Sequence, residues 1–257
     1  MGRLDGKVAV ITGAGGGMGR EAALLFTEEG AKVCAADVQL AAAEETVASC
    51  PEGSAFAFQV DVANEEQVAA MMRATADRFG GIDVLYNNAG ISPDDDASVL
   101  DTSVDAWDRV QDVNTKGVFL CCKHGIPYLL ERGGGSVINV SSLVALVGAA
   151  TSQISYTASK GGVLALSREL GVEFGKKGVR VNALCPGPVN TPLLQELFAK
   201  DPEKAARRLV HLPMGRFAEA REIAQGVLFL ASDDSSYVTA STFLVDGGLS
   251  GAYVTPE

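Results

Sequence analysis

Two hydrophobic rhythms alternate along the chain. Short, nearly continuous apolar runs rich in Val, Ile and Ala occupy residues 7–12, 32–37, 55–61, 83–87, 136–141, 179–184 and 242–245. Strands that bury both faces read this way, because every side chain meets an apolar neighbour whichever way it points. Between them, near 18–29, 40–49, 64–79, 103–131, 155–175 and 219–231, apolar residues recur at helical spacing. Helices that cover a sheet carry such a one-sided stripe. The alternation predicts an α/β fold with a doubly wound parallel sheet of about seven strands and helices on both faces.

Local punctuation supports these boundaries. Asn64-Glu65-Glu66-Gln67 resembles a capping box, and Gly80-Gly81 would end the helix that it starts. Gly133-Gly134-Gly135 and Pro186-Gly187-Pro188 mark further junctions. No linker-like segment divides residues 1–257, which read as a single dinucleotide-binding domain of Rossmann type. The long interval without a strand, about 186–240, predicts an inserted flap over the site at about 188–215.

Composition narrows the function classes. Hydrophobic residues make up 47% and charged residues 21%, an ordinary globular balance. The formal net charge, 21 − 32 = −11, argues against a nucleic-acid partner, since phosphate backbones require clustered cations. Five cysteines cannot all pair and form no C-x-x-C, which predicts free thiols in a reducing compartment. His124 and His211 stand apart without ligand spacing, so no catalytic metal is expected. The sequence shows neither a signal-peptide pattern nor a membrane-length apolar run, and a cytoplasmic protein without membrane contact is expected.

The candidate chemistry begins in the first strand-to-helix turn, Thr12-Gly13-Ala14-Gly15-Gly16-Gly17-Met18-Gly19. Gly13, Gly17 and Gly19 would let the backbone approach a pyrophosphate facing the helix N-terminus near Met18. Asp37, at the end of the second strand, would accept hydrogen bonds from adenosine ribose hydroxyls and repel a 2′-phosphate. Gly15, Gly16 and Val38 stand where that phosphate would need cations, although Arg20 is a nearby positive charge. NAD(H) is therefore expected over NADP(H). Asp61 and Val62 would flank the adenine, or simply start the next helix. Tyr156 and Lys160 lie four residues apart and so project from one helix face. A phenol titrates near pH 10, so acid/base work at neutrality needs a fall of about 3 pH units, roughly 4 kcal/mol. A nearby ammonium and the positive charge of an oxidised nicotinamide both act in that direction.

At this point the chain resembles the short-chain dehydrogenase/reductase family almost end to end. The resemblance rests on Thr12-Gly13-x-x-x-Gly17-x-Gly19, Asn87-Asn88-Ala89-Gly90, Asn114, Ser142, Tyr156-x-x-x-Lys160, and Pro186-Gly187 with Thr191. It implies Asn114, Ser142, Tyr156 and Lys160 as catalytic residues, with Tyr156 as acid/base and Ser142, or its neighbour Ser141, on the substrate oxygen. Asn114 would hold a water in a proton relay, bond backbone at a helix kink, or do both. Asn88, Ala89 and Gly90 would lie beside the cofactor. Pro186, Gly187, Val189 and Thr191 would meet the nicotinamide carboxamide. A homotetramer is implied by the same analogy.

The function expected is interconversion of a secondary alcohol and a ketone. Substrate walls are expected at 92–97, 143–153 and 193–209, with Ser142, Leu143, Gln153, Tyr156 and Leu193 in contact. Asp94-Asp95-Asp96 reads as a solvated loop, with selection of cationic or polyol substrates as the lesser alternative. Two competing readings stand beside this one. An NADPH-dependent ketoreductase of 3-oxoacyl thioesters is opposed by Asp37, and a non-catalytic dinucleotide-binding regulator by the intact tetrad.

Overall fold

The structure, a computed structural model, describes residues 2–191, 195 and 209–251. Among the described residues, seven strands form one parallel sheet: β1 (Val8–Thr12), β2 (Lys32–Asp37), β3 (Ala55–Gln59), β4 (Val84–Asn87), β5 (Gly135–Val140), β6 (Val179–Pro186) and β7 (Thr242–Val245). Their spatial order is β3-β2-β1-β4-β5-β6-β7. The winding therefore reverses between β1 and β4, where Ala9, Val10 and Ile11 face Val84, Leu85 and Tyr86. A crevice opens beyond the carboxyl ends of the strands at such a reversal, and ligands bind there.

Successive side chains explain why these strands read as continuous apolar runs. Ala9, Ile11, Val33, Ala35, Val84 and Tyr86 enter one core, beneath α1 (Gly17–Glu28) and the late helix Ala220–Ala231. Val10, Cys34, Ala36, Leu85 and Val137 enter the other, with Met71 and Met72 of α3 (Glu65–Phe79). Each face of the central strands is buried by its own helices, so there alternation from face to face does not reach water. The second helix, α2, spans Leu40–Ala48. Asn64 caps α3 by accepting from the Gln67 N–H, and Gly80, at φ 85°, ends it. The Gln67 side chain bonds the Asp61 N–H at 2.8 Å rather than closing a capping box on Asn64.

The apolar stretch expected as one helix over 103–131 is interrupted. It comprises α4 (Val104–Gln111), a π-helical turn at Asp112–Lys116 and α5 (Gly117–Glu131). Such turns insert an extra residue and often mark functional positions; this one carries Asn114. The sixth helix, α6 (Ile154–Phe174), carries Tyr156 and Lys160 on its first turns, and α7 is Ala220–Ala231. The flap expected at about 188–215, Leu193 included, lies mostly outside the described residues. No helix among the described residues is long and apolar enough to cross a membrane.

Candidate active site

The glycine turn leaves β1 and enters α1 under tight steric limits. Gly17 has φ +51°, a conformation that favours glycine. A Cβ on Gly19 would lie 2.2 Å from the Gly13 carbonyl oxygen and 2.7 Å from Asn88 Nδ2. The turn thus keeps a backbone-lined cradle at the N-terminus of α1, where partial positive charge collects. Asn88 braces it from β4, its amide donating to the carbonyls of Thr12 (3.0 Å) and Gly13 (3.1 Å). Asn88 Oδ1 is buried and meets no donor among the described residues. The Thr12 hydroxyl accepts from the Asn88 and Ala89 N–H groups.

Asp37 closes on this cradle. Its Oδ2 accepts from the Gly15 N–H at 2.9 Å and its Oδ1 from the Gln39 N–H at 3.0 Å. The carboxylate is therefore fixed at the rim of the glycine turn. Asp61 is exposed, and its Oδ1 accepts from the Ala63 N–H at 2.9 Å, the turn that leads into α3. Val62 points inward, buried against Gly117 of α5. Met18 packs against the first core.

A second group gathers at the ends of β4 and β5. Lys160 is 3% exposed; its Nζ donates to the Val140 carbonyl at 2.8 Å and sits 5.6 Å from the centre of the Tyr156 ring. A Cβ on Gly90 would lie 3.3 Å from that Nζ and 3.2 Å from Asn114 Oδ1, so the three residues are in close contact. Burial brings the Lys160 ammonium down to about 8 from its ordinary 10.5. Burial pushes the Tyr156 phenol up, and a hydrogen bond from Ser142 opposes this. The residue as a whole retains partial contact with solvent.

Ser141 and Ser142 divide the choice left open by the sequence. Ser141 turns inward and donates to the Lys160 carbonyl at 2.7 Å, whereas Ser142 stands beside the phenol. Ser142 also accepts from the Val144 N–H at 3.3 Å, starting a short turn that buries Leu143 and leaves Leu146 and Val147 exposed. Gln153 is half-buried just before α6. Asn114 is fully buried: it accepts from the Ile91 N–H (2.8 Å) and donates to the Ile91 carbonyl (2.9 Å) and Ser159 Oγ (3.1 Å). Its side chain thus takes the backbone-bonding role.

Across the crevice, Pro186 ends β6, and a Cβ on Gly187 would meet Asp246 Cα at 2.8 Å. Val189 bridges to Ala218, and the Thr191 methyl faces Gly17. At the opposite edge of the sheet, a polar recess of about 270 Å³ is lined by Lys7, Asp83, Arg132, Arg180 and Asp233. Arg132 there pairs with Asp83 at 3.1 Å and Lys7 with Asp233 at 3.6 Å, while Arg180 donates to Ser235 Oγ and the Ser232 carbonyl.

The solvated reading of 94–96 needs correction. Asp96 is 5% exposed, and its carboxylate accepts the N–H groups of Ser155 and Tyr156 at the start of α6. Only Asp94 and Asp95 are open to solvent, and Asp95 is paired with Arg109 at 2.7 Å. No short-range signal marks Asp96, because its partners lie 59 and 60 residues away.

A glycine cradle at the switch point, beside a Tyr–Lys pair, suits an oxidoreductase that uses a nicotinamide dinucleotide. A family model described as enoyl-(acyl carrier protein) reductase matches residues 13–250. The 3-oxoacyl-(acyl-carrier-protein) reductase FabG of Thermotoga maritima is 40% identical over 96% of this chain and 99% of its own. The meso-2,3-butanediol dehydrogenase of Serratia marcescens is 40% identical over 99% of each chain. The crystal structure of levodione reductase superposes with a TM-score of 0.91 at 38% identity, covering 97% of this chain and 100% of that one. The chain belongs to the short-chain dehydrogenase/reductase family, and its reaction class is the interconversion of secondary alcohols and ketones.

Proposed function

We propose that the protein is an NAD(H)-dependent dehydrogenase of an apolar secondary alcohol, with Tyr156 as acid/base. The convergence of Tyr156, Lys160, Ser142, Asn114 and Gly90 beside the glycine cradle carries this reading. The cradle suits the dinucleotide: a Cβ on Gly16 would meet only open space at the turn, and the buried Asn88 Oδ1 has no donor among the described residues. When bound, the nicotinamide accepts or supplies the hydride. In oxidation Tyr156 takes the carbinol proton, and in reduction it returns it. Burial opposes ionisation of the phenol and the Ser142 hydrogen bond favours it; the Lys160 ammonium, 5.6 Å from the ring centre, would add to the latter. Lys160 also binds the nicotinamide ribose, and Ser142 donates to the substrate oxygen as charge develops there. Asn114, held by Ile91, would place the water that links Lys160 to solvent as a proton relay.

Gly13, Gly17, Met18 and Gly19 would hold the pyrophosphate, Asp37 the adenosine ribose, and Asp61 and Val62 the adenine edge. Asn88, Ala89 and Gly90 would line the second ribose, and Pro186, Gly187, Val189 and Thr191 the carboxamide. Leu143, Gln153 and Leu193 complete the substrate contacts beside Ser142 and Tyr156. A cytoplasmic homotetramer belongs to the same reading; β7 ends the sheet and carries a half-exposed Leu244, an edge that a second copy would cover.

Titration with NAD(H) and NADP(H) in the same salt tests the cofactor assignment. The fixed Asp37 carboxylate predicts preference for NAD(H) by tenfold or more, with turnover of cyclohexanol or meso-2,3-butanediol. Equal or stronger NADP(H) binding would overturn it. The second reading, a 3-oxoacyl thioester reductase, is favoured by the similarity to the Thermotoga maritima enzyme. NADPH-driven reduction of an acetoacetyl thioester, without alcohol oxidation, would establish it instead.

A further inference from the structure

Tyr156 is the third residue of α6, where a helix has no preceding turn beneath it and its end readily frays. Four N–H groups at a helix start have no partner inside the helix. Here the residue before the helix, Gln153, supplies no side-chain cap. The loop that follows β4 does so instead. The Ile154 N–H donates to the Ala97 carbonyl (3.2 Å), that of Ser155 to Asp96 Oδ1 (2.9 Å), and that of Tyr156 to Asp96 Oδ2 (2.7 Å). Both carboxylate oxygens are thus committed, in a buried position, at the positive end of the helix macrodipole. A carboxylate engaged in this way is not free to select a cationic substrate.

The same loop is anchored at its other end to the remaining site residues. Ile91 is bonded through both backbone groups to Asn114, and Gly90 packs against Lys160. Beside Asp96, the Asp95 carboxylate is gripped by Arg109 at 2.7 and 2.8 Å. From α4, Gln111 donates to the Ser155 carbonyl and hydroxyl, holding the same helical turn.

We propose that Asp96 is a positioning residue: by capping α6 from the 91–97 loop, it sets where the Tyr156 phenol stands relative to Ser142 and Lys160. The loop expected to wall the substrate is thereby tied to the proton-transfer geometry. This inference rests on Tyr156 being the acid/base. Misplacement of a reacting group by about 1 Å can cost on the order of 10²-fold in rate.

The test compares Asp96→Ala, Asp96→Asn and Tyr156→Phe in NAD⁺-dependent oxidation of cyclohexanol and meso-2,3-butanediol. Amide hydrogen exchange is followed in parallel on the NAD⁺-bound protein. Asp96→Asn keeps one acceptor of two, so kcat should fall five- to tenfold with KM for NAD⁺ unchanged. Asp96→Ala should fall further, by 30-fold or more, and exchange at residues 154–157 should rise in both. A purely structural role would lower the melting temperature without this graded loss in kcat. Should Asp96→Ala not fold, Asp96→Asn decides. A kcat for Asp96→Asn within twofold of the parent, an effect confined to KM, or unchanged exchange at 154–157 would overturn the proposal. Full activity of Tyr156→Phe would instead overturn the acid/base reading, leaving the exchange result to decide the cap.

Discussion

Burial acts on Tyr156 and Lys160 in opposite directions, raising the phenol and lowering the ammonium, so that both are pressed toward their neutral forms. Replacing the phenol hydroxyl removes the proposed proton donor. Tyr156→Phe should lose about 10²–10⁴-fold in kcat, with dinucleotide affinity close to that of the parent by fluorescence titration. Lys160 carries a cost in stability that its proposed chemistry requires. Its folded value, about 8, lies below the ordinary 10.5, so the unfolded chain holds the extra proton between these limits. Stability from this group therefore rises with pH across that window and is lowest below about pH 8. Lys160→Met should be inactive yet more resistant to urea at pH 7, by on the order of 1–3 kcal/mol after the lost Val140 bond is counted. That advantage should shrink toward pH 10.5, which parallel unfolding curves at pH 7 and 10 would show.

At the scale of elements, the closest tolerance is the approach of α1 to the glycine turn. Gly19→Ala would put a methyl 2.2 Å from the Gly13 carbonyl, a clash with backbone that only a shift of the helix relieves. It should cost about 1–3 kcal/mol and weaken NAD(H) binding at least tenfold, read by denaturation and calorimetric titration. The strands and helices were legible in the sequence because two buried faces impose continuous apolar runs on the central strands. The glycine turn and the Tyr–Lys pair were legible because their spacing is short and local. Two features were not. The π turn at Asp112–Lys116 preserves an apolar pattern that reads as uninterrupted helix, so Asn114 could be flagged while its bonds to Ile91 could not. Asp96 sits among three consecutive carboxylates, a composition that signals water, and only the folded chain brings the N-terminus of α6 to it.

Over the whole molecule, two cores divided by one sheet hold several ionisable groups away from water. Burial raises the Cys34 and Cys122 thiols to about 12 from their ordinary 9, and shifts Cys121 in the same direction. Unfolded thiols ionise near pH 9 while the folded ones keep their protons, so the stability they contribute is intact below pH 9 and lost as pH rises toward 12. Three thiols outweigh the single opposing lysine, and the urea midpoint should therefore fall from pH 9 to 11. Cys34→Ala should flatten that decline, and a midpoint independent of pH would contradict the assignment. The cap from the 91–97 loop has a further consequence for anyone wishing to retarget the enzyme. Residues 92–97 look like an open surface loop on which to randomise specificity, yet they also hold the helix that bears the phenol. Libraries built there should yield mostly slow catalysts, with Asp96 retained among the fast survivors. The exposed side chains of Leu146 and Val147 can be varied without disturbing that cap.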